Sequence, residues 1–299
     1  MKQDVAIIGG SFAGLAAATY LARARRRVAV IDSGRPRNRF ADASHGFLGH
    51  DGSDPAWILR DARAQLAAYP TVSFVEGEAA DAVREGEGFV VRLTGSDRTV
   101  AARRLILAFG LSDTLPGVPG LQERWGKSVI HCPYCHGYEF ADRELGVLYR
   151  VPMSIHQALL VADWGPVTLY LNGVGPLDDE SAAKLVARGV RVVPDPIRAL
   201  HGPHSALDSV ELADGTHRPL EALYVAPQST LASPIARSLG CAIEDGPAGE
   251  LIVTDGDKLT SVPAVHAAGD IARAPHSVSW AVADGVTAGT AAHRALVFG

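Results

Sequence analysis

The first forty residues contain short apolar runs separated by polar or glycine-rich breaks. Val5 to Ile8 is a continuous apolar run that indicates a buried strand, and Ala13 to Ala24 is an alanine-rich stretch that indicates a helix. A second predicted strand, Arg27 to Ile31, ends at Asp32. This order predicts a strand–helix–strand unit with parallel strands at the start of the chain.

The same region also has to be weighed as a membrane or targeting segment. Val5 to Ala22 contains no charged residue, which by length alone is compatible with a short membrane span or a signal sequence. However, Asp4 precedes the run and Gly9-Gly10-Ser11 interrupts it after one third of its length. We therefore expect a strand followed by a helix, in a soluble, cytoplasmic protein that does not associate with a membrane.

Composition limits the possible classes of protein further. The 299 residues suggest about two domains of roughly 150 residues each. With 47% hydrophobic and 20% charged residues, the chain can bury a sizeable core, which excludes a disordered protein. The net charge of −5 and the aromatic content of 6% disfavour nucleic-acid binding, because neither a basic surface nor stacking platforms are indicated.

The break after the first strand has the spacing of a dinucleotide-binding turn, and its residues are Gly9, Gly10, Ser11, Phe12, Ala13 and Gly14. A glycine at position 9 permits a tight turn, and a glycine at position 14 lets the helix pack closely on the strand. The helix N-terminus would present free N–H groups to a pyrophosphate. Ser11 replaces the middle glycine of the usual pattern. Asp32, with Ser33 beside it, follows at the distance expected for a ribose-binding acid.

The chain has three cysteines, which are too few for a disulfide framework. Two of them lie in the segment Cys132-Pro133-Tyr134-Cys135-His136. The spacing is compatible with a c-type haem attachment, with half of a zinc site, with a redox-active dithiol, or with two structural cysteines. Haem attachment would require export, and zinc would require further ligands at short spacing, so the redox interpretation fits best. Cys241 stands alone and is expected to be a small buried hydrophobic residue.

Two later segments resemble the two-dinucleotide flavoproteins. The segment Thr260 to Asp270 ends in Ala-Ala-Gly-Asp and precedes a predicted helix from Ser277 to Leu296, and Leu105 to Gly110 matches a strand motif of that family with Phe109 in place of threonine. The resemblance implies that FAD is the cofactor, that the Asp binds the ribityl chain, and that the helix N-terminus points at the flavin ring. The cofactor-binding residues added by these segments are Ala108, Gly110, Gly269, Asp270, Ser277 and Val278.

In length and in the order of its parts, the whole chain resembles the low-molecular-weight thioredoxin reductases. The resemblance implies an α/β fold, with a discontinuous Rossmann-type FAD domain (1–113 and 231–299) and a smaller inserted NAD(P)-like domain (114–230) that carries the CxxC. It also implies that Cys135 lies next to the flavin, that Cys132 exchanges with substrate, and that the protein forms homodimers.

One part of that pattern is missing. A second glycine-rich turn for NADPH is expected after the first strand of the inserted domain, but Leu148 to Ala158 contains no glycine and includes Pro152. The following stretch, Leu171 to Gly175, has no arginine for a 2′-phosphate. The chain therefore resembles a branch that lacks a working NADPH site, which includes dithiol oxidases of the gliotoxin and holomycin type and reductases fed by ferredoxin.

We expect a dithiol oxidase that uses CxxC, FAD and dioxygen. The alternatives are a disulfide reductase fed by ferredoxin or by an atypical pyridine nucleotide, and a flavin-bound redox sensor. The substrate is a small-molecule or protein dithiol. Proton transfer from a thiol needs a base, for which His136 and His276 are the first candidates, with Glu139 orienting His136. His45 and His50, in the loop after Arg35 to Phe40, are alternative bases.

Overall fold

The computed structural model describes residues 2–246 and 249–299, which form two compact units. The first unit contains 1–39, 47–112 and 229–299, and the second contains 40–46 and 113–228. The sequence-based boundaries assigned 40–46 to the FAD domain, whereas in the structure this short segment packs with the second unit. The difference arises because side chains of the segment find their partners there: Lys127 forms an ion pair with Asp42, and Phe40 lies against Gly126.

The first unit is built on a seven-stranded mixed sheet with the order β3-β2-β1-β6-β5-β4 and with β19 paired to β6. Its inner strands are parallel, whereas β4, β5 and β6 pair antiparallel. The strands are β1 (Gln3–Ile8), β2 (Val28–Asp32), β3 (Val72–Glu76), β4 (Ala79–Glu85), β5 (Gly88–Leu93), β6 (Thr99–Leu107) and β19 (Val265–Ala267). The predicted N-terminal strand–helix–strand unit is confirmed, since α1 (Phe12–Arg23) connects β1 to β2.

The helices of the first unit are α1, α2 (Pro55–Ala67), α6 (Ile235–Ser238) and α7 (Val278–Phe298). Helix α7 packs closely on α1, where a Cβ atom on Gly285 would lie 2.1 Å from the carbonyl oxygen of Ala13. Glycine is therefore required there by the close approach of two helix backbones. A Cβ atom on Gly289 would likewise lie 2.8 Å from the carbonyl oxygen of Ala17, so α1 and α7 run in the same direction and their N-termini point to the same end of the sheet.

A smaller four-stranded sheet has the order β17-β18-β16-β7. Its strands are β7 (Leu111–Thr114), β16 (Gln228–Leu231), β17 (Ile243–Gly246) and β18 (Gly249–Ile252). The chain leaves the first unit within β7 and returns to it within β16. Cys241, just before β17, is buried in the core of the first unit, as predicted. Burial raises the pKa of its thiol, which is consistent with an inert structural residue.

The second unit has a five-stranded parallel sheet with the order β11-β10-β9-β15-β8. Its strands are β8 (Val129–Ile130), β9 (Leu145–Leu148), β10 (Val167–Tyr170), β11 (Arg191–Val193) and β15 (Ala222–Val225). Its helices are α3 (Pro133–His136), α4 (Met153–Val161) and α5 (Asp179–Ala187). An antiparallel three-stranded sheet completes the unit, with β12 (Ile197–His201), β13 (Ser209–Leu212) and β14 (His217–Pro219).

These elements are α/β layers of the Rossmann type, as expected from the sequence. In the part of the chain that the structure describes, no helix combines the length and the apolar character that crossing a bilayer requires.

Candidate functional site

The first site is the turn between β1 and α1. Gly9 has a φ of +113°, and a Cβ atom built on it would lie 2.1 Å from the carbonyl oxygen of Ala108. A Cβ atom on Gly14 would lie 1.9 Å from the carbonyl oxygen of Gly9. Both glycines are therefore needed for the backbone geometry, as their positions in the sequence suggested. Ser11 caps α1 in an extended conformation, and its side chain accepts no hydrogen bond from the N–H groups of the first turn.

Asp32 ends β2 directly beside this turn. Its Oδ1 accepts a hydrogen bond from the backbone N–H of Gly10 at 3.2 Å. Its Oδ2 accepts one from Arg63 Nη1 at 2.6 Å, and the guanidinium of Arg63 also stacks on Phe74. The carboxylate is thus held in place from two sides, while Ser33 next to it is exposed. The sequence pattern did not identify Arg63, because it lies on α2, outside the strand–helix–strand unit.

The remaining residues predicted to bind the cofactor follow the ends of β6 and β19. The backbone N–H of Ala108 donates to the carbonyl of Ile8 at 2.8 Å, which fixes the end of β6 against β1. Gly110 and Gly269 have φ angles of +74° and +81°, values that favour glycine. Asp270 follows at the start of a short 3-10 helix, Asp270–Ala272.

The N-terminus of α7 lies in the same unit. Ser277 caps the helix, since its hydroxyl accepts a hydrogen bond from the N–H of Trp280 at 3.1 Å, and Val278 begins the helix. His276 precedes this cap. The described residues of the turn, the two strand ends and this helix are all part of the first unit.

Arg37 contacts three residues that lie far from it in the sequence. Its Nη1 donates to Asp270 Oδ2 at 2.9 Å and to His276 Nδ1 at 2.8 Å, and its Nη2 donates to Ser229 Oγ at 3.1 Å. All of these side chains are at least half-buried. Arg37 was not among the residues predicted from the sequence, because an arginine in a loop has no periodic signal. The loop after β2 is, however, where the resemblance places a flavin-directed segment.

The residues of the first unit fit FAD. A tight glycine turn, an open helix N-terminus and an anchored acid at the end of β2 are the parts that hold a dinucleotide pyrophosphate and ribose. The turn has no room for a side chain at position 9 or 14, because a Cβ atom there would meet the backbone of Ala108 or of Gly9.

The second unit contains the CxxC. Cys132 and Cys135 form a disulfide, with their Cα atoms 5.3 Å apart. Cys132 caps the four-residue helix α3, and Cys135 lies within it. Both cysteines are partly accessible, and the neighbouring Tyr134 and Tyr138 are among the most exposed aromatic residues of the described chain. The disulfide interpretation of the CxxC agrees with this geometry.

Helix α4 supports the segment that leads into the disulfide. The buried side chain of Gln157 on α4 donates from Nε2 to the backbone carbonyl of His131 at 2.7 Å. His131 follows β8 and directly precedes Cys132. This hydrogen bond ties the CxxC turn to the helix behind it.

Two titratable side chains that follow the disulfide in sequence, His136 and Glu139, form a cluster with His45 from a distant loop. His45 Nε2 lies 3.4 Å from Glu139 Oε1, and the rings of His45 and His136 meet edge to face with centroids 6.2 Å apart. Burial lowers the pKa of His136; Glu139 opposes that shift, and His45 adds to it. His136 is therefore a neutral imidazole at neutral pH, the form that can accept a proton from a thiol.

The two alternative bases predicted from the sequence are separated by the fold. His45 belongs to the second unit and joins the His136–Glu139 cluster. His50 belongs to the first unit, where its ring packs between Phe47 and Trp57. Phe47 in turn contacts Phe12 of the dinucleotide turn.

The segment between β9 and α4 is where the second dinucleotide turn was expected. The N–H groups of Arg150 and Val151 both approach the hydroxyl of Ser154, at 3.1 and 3.4 Å. Ser154 is fully buried, and Pro152 at the start of the helix has no N–H. Arg150 turns its guanidinium to the backbone carbonyl oxygens of Thr114 and Ala226. A cavity of about 490 Å³ lies between α4 and α5.

Comparison with known proteins gives the family. Residues 3–157 match the family described as pyridine nucleotide-disulphide oxidoreductase. A thioredoxin reductase named tcpT from Claviceps purpurea is 33% identical over 98% of this chain and 94% of its own, and one named sirT from Leptosphaeria maculans is 30% identical over 96% and 92%. An oxidoreductase from Agrobacterium tumefaciens has a crystal structure that is 48% identical, with a TM-score of 0.94 over 100% of this chain and 99% of that one.

The crystal structure of HlmI is also similar, with 40% identity and a TM-score of 0.93 over 99% of this chain and 93% of that one. These relatives cover nearly the full length of the chain, including both units. The chain therefore belongs to the pyridine nucleotide-disulphide oxidoreductase family and is a thioredoxin reductase-like, FAD-binding disulfide oxidoreductase.

Proposed function

We propose that this enzyme oxidises a dithiol to a disulfide through Cys132, Cys135 and FAD, with dioxygen as the final acceptor and without NADPH. The observation that carries the proposal is that backbone N–H groups of the turn between β9 and α4 already donate hydrogen bonds within the turn itself. A pyrophosphate needs several backbone N–H donors at close range, and glycine is what lets the backbone come that near. This turn offers a buried serine and a proline instead.

The buried hydroxyl of Ser154 accepts from the N–H groups of Arg150 and Val151. The N–H of Ser154 itself donates to the carbonyl of Val151 at 2.8 Å, and that of Ile155 donates to Pro152 at 3.1 Å. Binding of a phosphate to the N–H groups of Arg150 and Val151 would break their hydrogen bonds to Ser154 and leave its buried hydroxyl without these partners. A buried polar group left without a partner costs about 1–3 kcal/mol, which opposes binding.

The 2′-phosphate of NADPH would also lack a suitable partner. Arginine provides the bidentate recognition that such a phosphate needs, and Leu171 to Gly175 contains no cation. Lys184 lines the cavity between α4 and α5, but its ammonium group lies 2.7 Å from Glu180 on the exposed face of α5. The carboxylate of Asp178 also lines this cavity, where it would repel a phosphate.

The chemistry at the disulfide follows thiol–disulfide exchange. A substrate thiolate attacks Cys132 Sγ, the Cys132–Cys135 bond breaks, and Cys135 leaves as a thiolate. The second substrate thiolate then attacks the substrate sulfur of the mixed disulfide and releases Cys132. The substrate has lost two protons and two electrons, and the cysteine pair has gained the two electrons. FAD, when bound, supplies the two-electron acceptor that returns the pair to the disulfide and allows dioxygen to become hydrogen peroxide.

His136 is the residue that we assign as base for the substrate thiol. It directly follows Cys135, and burial keeps its imidazole neutral. Glu139 stabilises the imidazolium that forms when the proton arrives, so the two residues act as base and supporting carboxylate. His45 Nε2 lies 3.4 Å from Oε1 of the same carboxylate.

A reductase role is the alternative, and the names of the two fungal relatives favour it, since both are called thioredoxin reductases. In that direction the same cysteine pair would donate two electrons to a disulfide, and a donor other than NADPH would be required. The two directions differ in which compound reduces the enzyme.

The test is an anaerobic titration of the purified yellow holoenzyme, first with NADPH and then with dithiothreitol, followed by flavin absorbance. We expect dithiothreitol alone to bleach the flavin. Admitted air should restore the flavin absorbance, and hydrogen peroxide should form in proportion to the flavin that is reoxidised. We also expect no saturable NADPH binding below about a millimolar in calorimetry. A micromolar dissociation constant, or stoichiometric flavin reduction by NADPH, would overturn the proposal and favour a conventional reductase.

A further inference from the structure

Three side chains with metal-binding chemistry lie together on the antiparallel sheet of the second unit. Glu211 on β13 pairs directly with His217 on β14 and with Ala199 on β12. His201 lies two residues beyond Ala199 on the same strand, so it shares a face with Glu211 as a diagonal neighbour. The three side chains therefore project from adjacent strands on one side of the sheet.

Their ligand atoms are close enough to share one ion. One nitrogen from each histidine and one carboxylate oxygen all lie within 4.8 Å of one another, and His201 Nε2 is 2.8 Å from Glu211 Oε2. The two imidazole rings are 5.1 Å apart at their centroids. Two imidazoles bound to a single tetrahedral zinc ion, with Zn–N distances of about 2 Å, have centroids about 5 Å apart.

The surroundings support a defined site rather than three mobile side chains. Arg198 Nη1 lies 3.0 Å from Glu211 Oε1, which fixes the carboxylate and leaves Oε2 directed at the histidine. Outer hydrogen bonds of this kind orient metal-binding carboxylates. On the other face of the sheet, Leu200, Val210 and Leu212 are buried in the core, so the strands that carry the ligands are rigidly supported.

We propose that His201, Glu211 and His217 bind a single zinc ion, with water completing a tetrahedral coordination. Two imidazoles and one carboxylate suit zinc and other late first-row divalent ions, and they do not suit magnesium or calcium, which prefer oxygen ligands alone. The site is separate from the CxxC, whose cysteines are joined in a disulfide. An ion at this position joins three strands of the sheet and stabilises the second unit against unfolding.

The experiment is a calorimetric titration of chelator-treated, air-oxidised holoenzyme with ZnCl₂, followed by thermal unfolding with and without zinc. The variants are His217→Asn, which changes an exposed edge-strand residue, and Glu211→Gln. The matched control is His204→Asn: His204 is an exposed histidine on the adjacent loop with a φ of +53°, a conformation that asparagine tolerates.

We expect one equivalent of zinc to bind to the wild type and to His204→Asn, and to raise the unfolding temperature of both. His217→Asn and Glu211→Gln should weaken the binding by about tenfold to a hundredfold or more, while their unfolding temperatures without zinc stay close to that of the wild type. Cobalt should give a tetrahedral absorption spectrum in the wild type, and magnesium should not bind. Absence of saturable zinc binding, or equal binding by wild type and His217→Asn, would overturn the proposal.

Discussion

Arg37 donates a hydrogen bond from Nη1 to Nδ1 of His276 over 2.8 Å. A guanidinium can only donate, so Nδ1 must be the unprotonated, accepting nitrogen of the imidazole. When Nδ1 accepts this hydrogen bond, the proton of the ring lies on Nε2. In this tautomer the ring offers an N–H donor from Nε2, and the role of base that the sequence suggested for His276 stays a prediction.

The tautomer of His276 can be observed directly. In ¹⁵N-labelled holoenzyme we expect the neutral imidazole of His276 to carry its proton on Nε2 and not on Nδ1, because Arg37 occupies the Nδ1 lone pair. Arg37→Met should remove this preference, and His276→Gln identifies the signals. A protonated Nδ1 in the wild type would contradict the assignment.

Gly9→Ala should yield largely cofactor-free protein. The added Cβ atom would lie 2.1 Å from the carbonyl oxygen of Ala108, on a backbone with a φ of +113°. Loss of the pyrophosphate contacts by even a few kcal/mol should reduce FAD retention by roughly tenfold or more. The ratio of flavin to protein absorbance measures this. Gly117→Ala is the control, since nothing lies within 4 Å of its added Cβ atom. A normal ratio of flavin to protein in Gly9→Ala would contradict the assignment of the turn after β1 as the FAD site.

The thiols of Cys132 and Cys135 should react with a thiol reagent at different rates when each is tested in a variant that lacks the other cysteine. If Cys132 is the exchanging thiol, Cys135→Ser should react with Ellman's reagent about tenfold faster than Cys132→Ser, because only the former retains the substrate-facing thiol. Both variants should lose dithiol turnover by about a thousandfold. Cys241 is buried in both and serves as an internal reference. Faster labelling of Cys132→Ser would reverse the assigned roles.

On the acid side of the pH profile, the rate of dithiol turnover should fall with the protonation of His136 and so follow the pKa of this residue. Burial lowers that pKa, so turnover persists below the ordinary range of histidine and is lost as pH falls through the lowered value. Glu139 raises this pKa and His45 lowers it. We therefore expect Glu139→Gln to move this fall in rate to lower pH and His45→Asn to move it to higher pH.

Profiles of kcat/KM against pH with dithiothreitol test these opposite shifts, since the titration of the probe is common to all variants. Asp142→Asn is the matched control, because Asp142 is an exposed acid nearby with a φ of +64° that asparagine tolerates. A shift in the same direction for both variants, or none, would exclude His136 as the base.

The sequence by itself determined the features that depend on neighbouring residues. The turn from Gly9 to Gly14, the acid at the end of β2 and the cap of α7 all follow from local backbone requirements. Such requirements select particular residue types at fixed spacings in the sequence, so they can be recognised there. The absence of glycine between β9 and α4 is equally local, which is why the missing nucleotide turn could be recognised without a structure.

Only the tertiary structure decided which distant side chains meet. Arg37 and Asp270 are 233 residues apart and His45 and Glu139 are 94 apart, yet each pair is in contact. Such polar contacts have no periodicity, because a single hydrogen bond places no constraint on the residues beside it in the chain. The separation of His45 from His50, and the meeting of His201, Glu211 and His217, likewise depend on how the chain folds and on strand register.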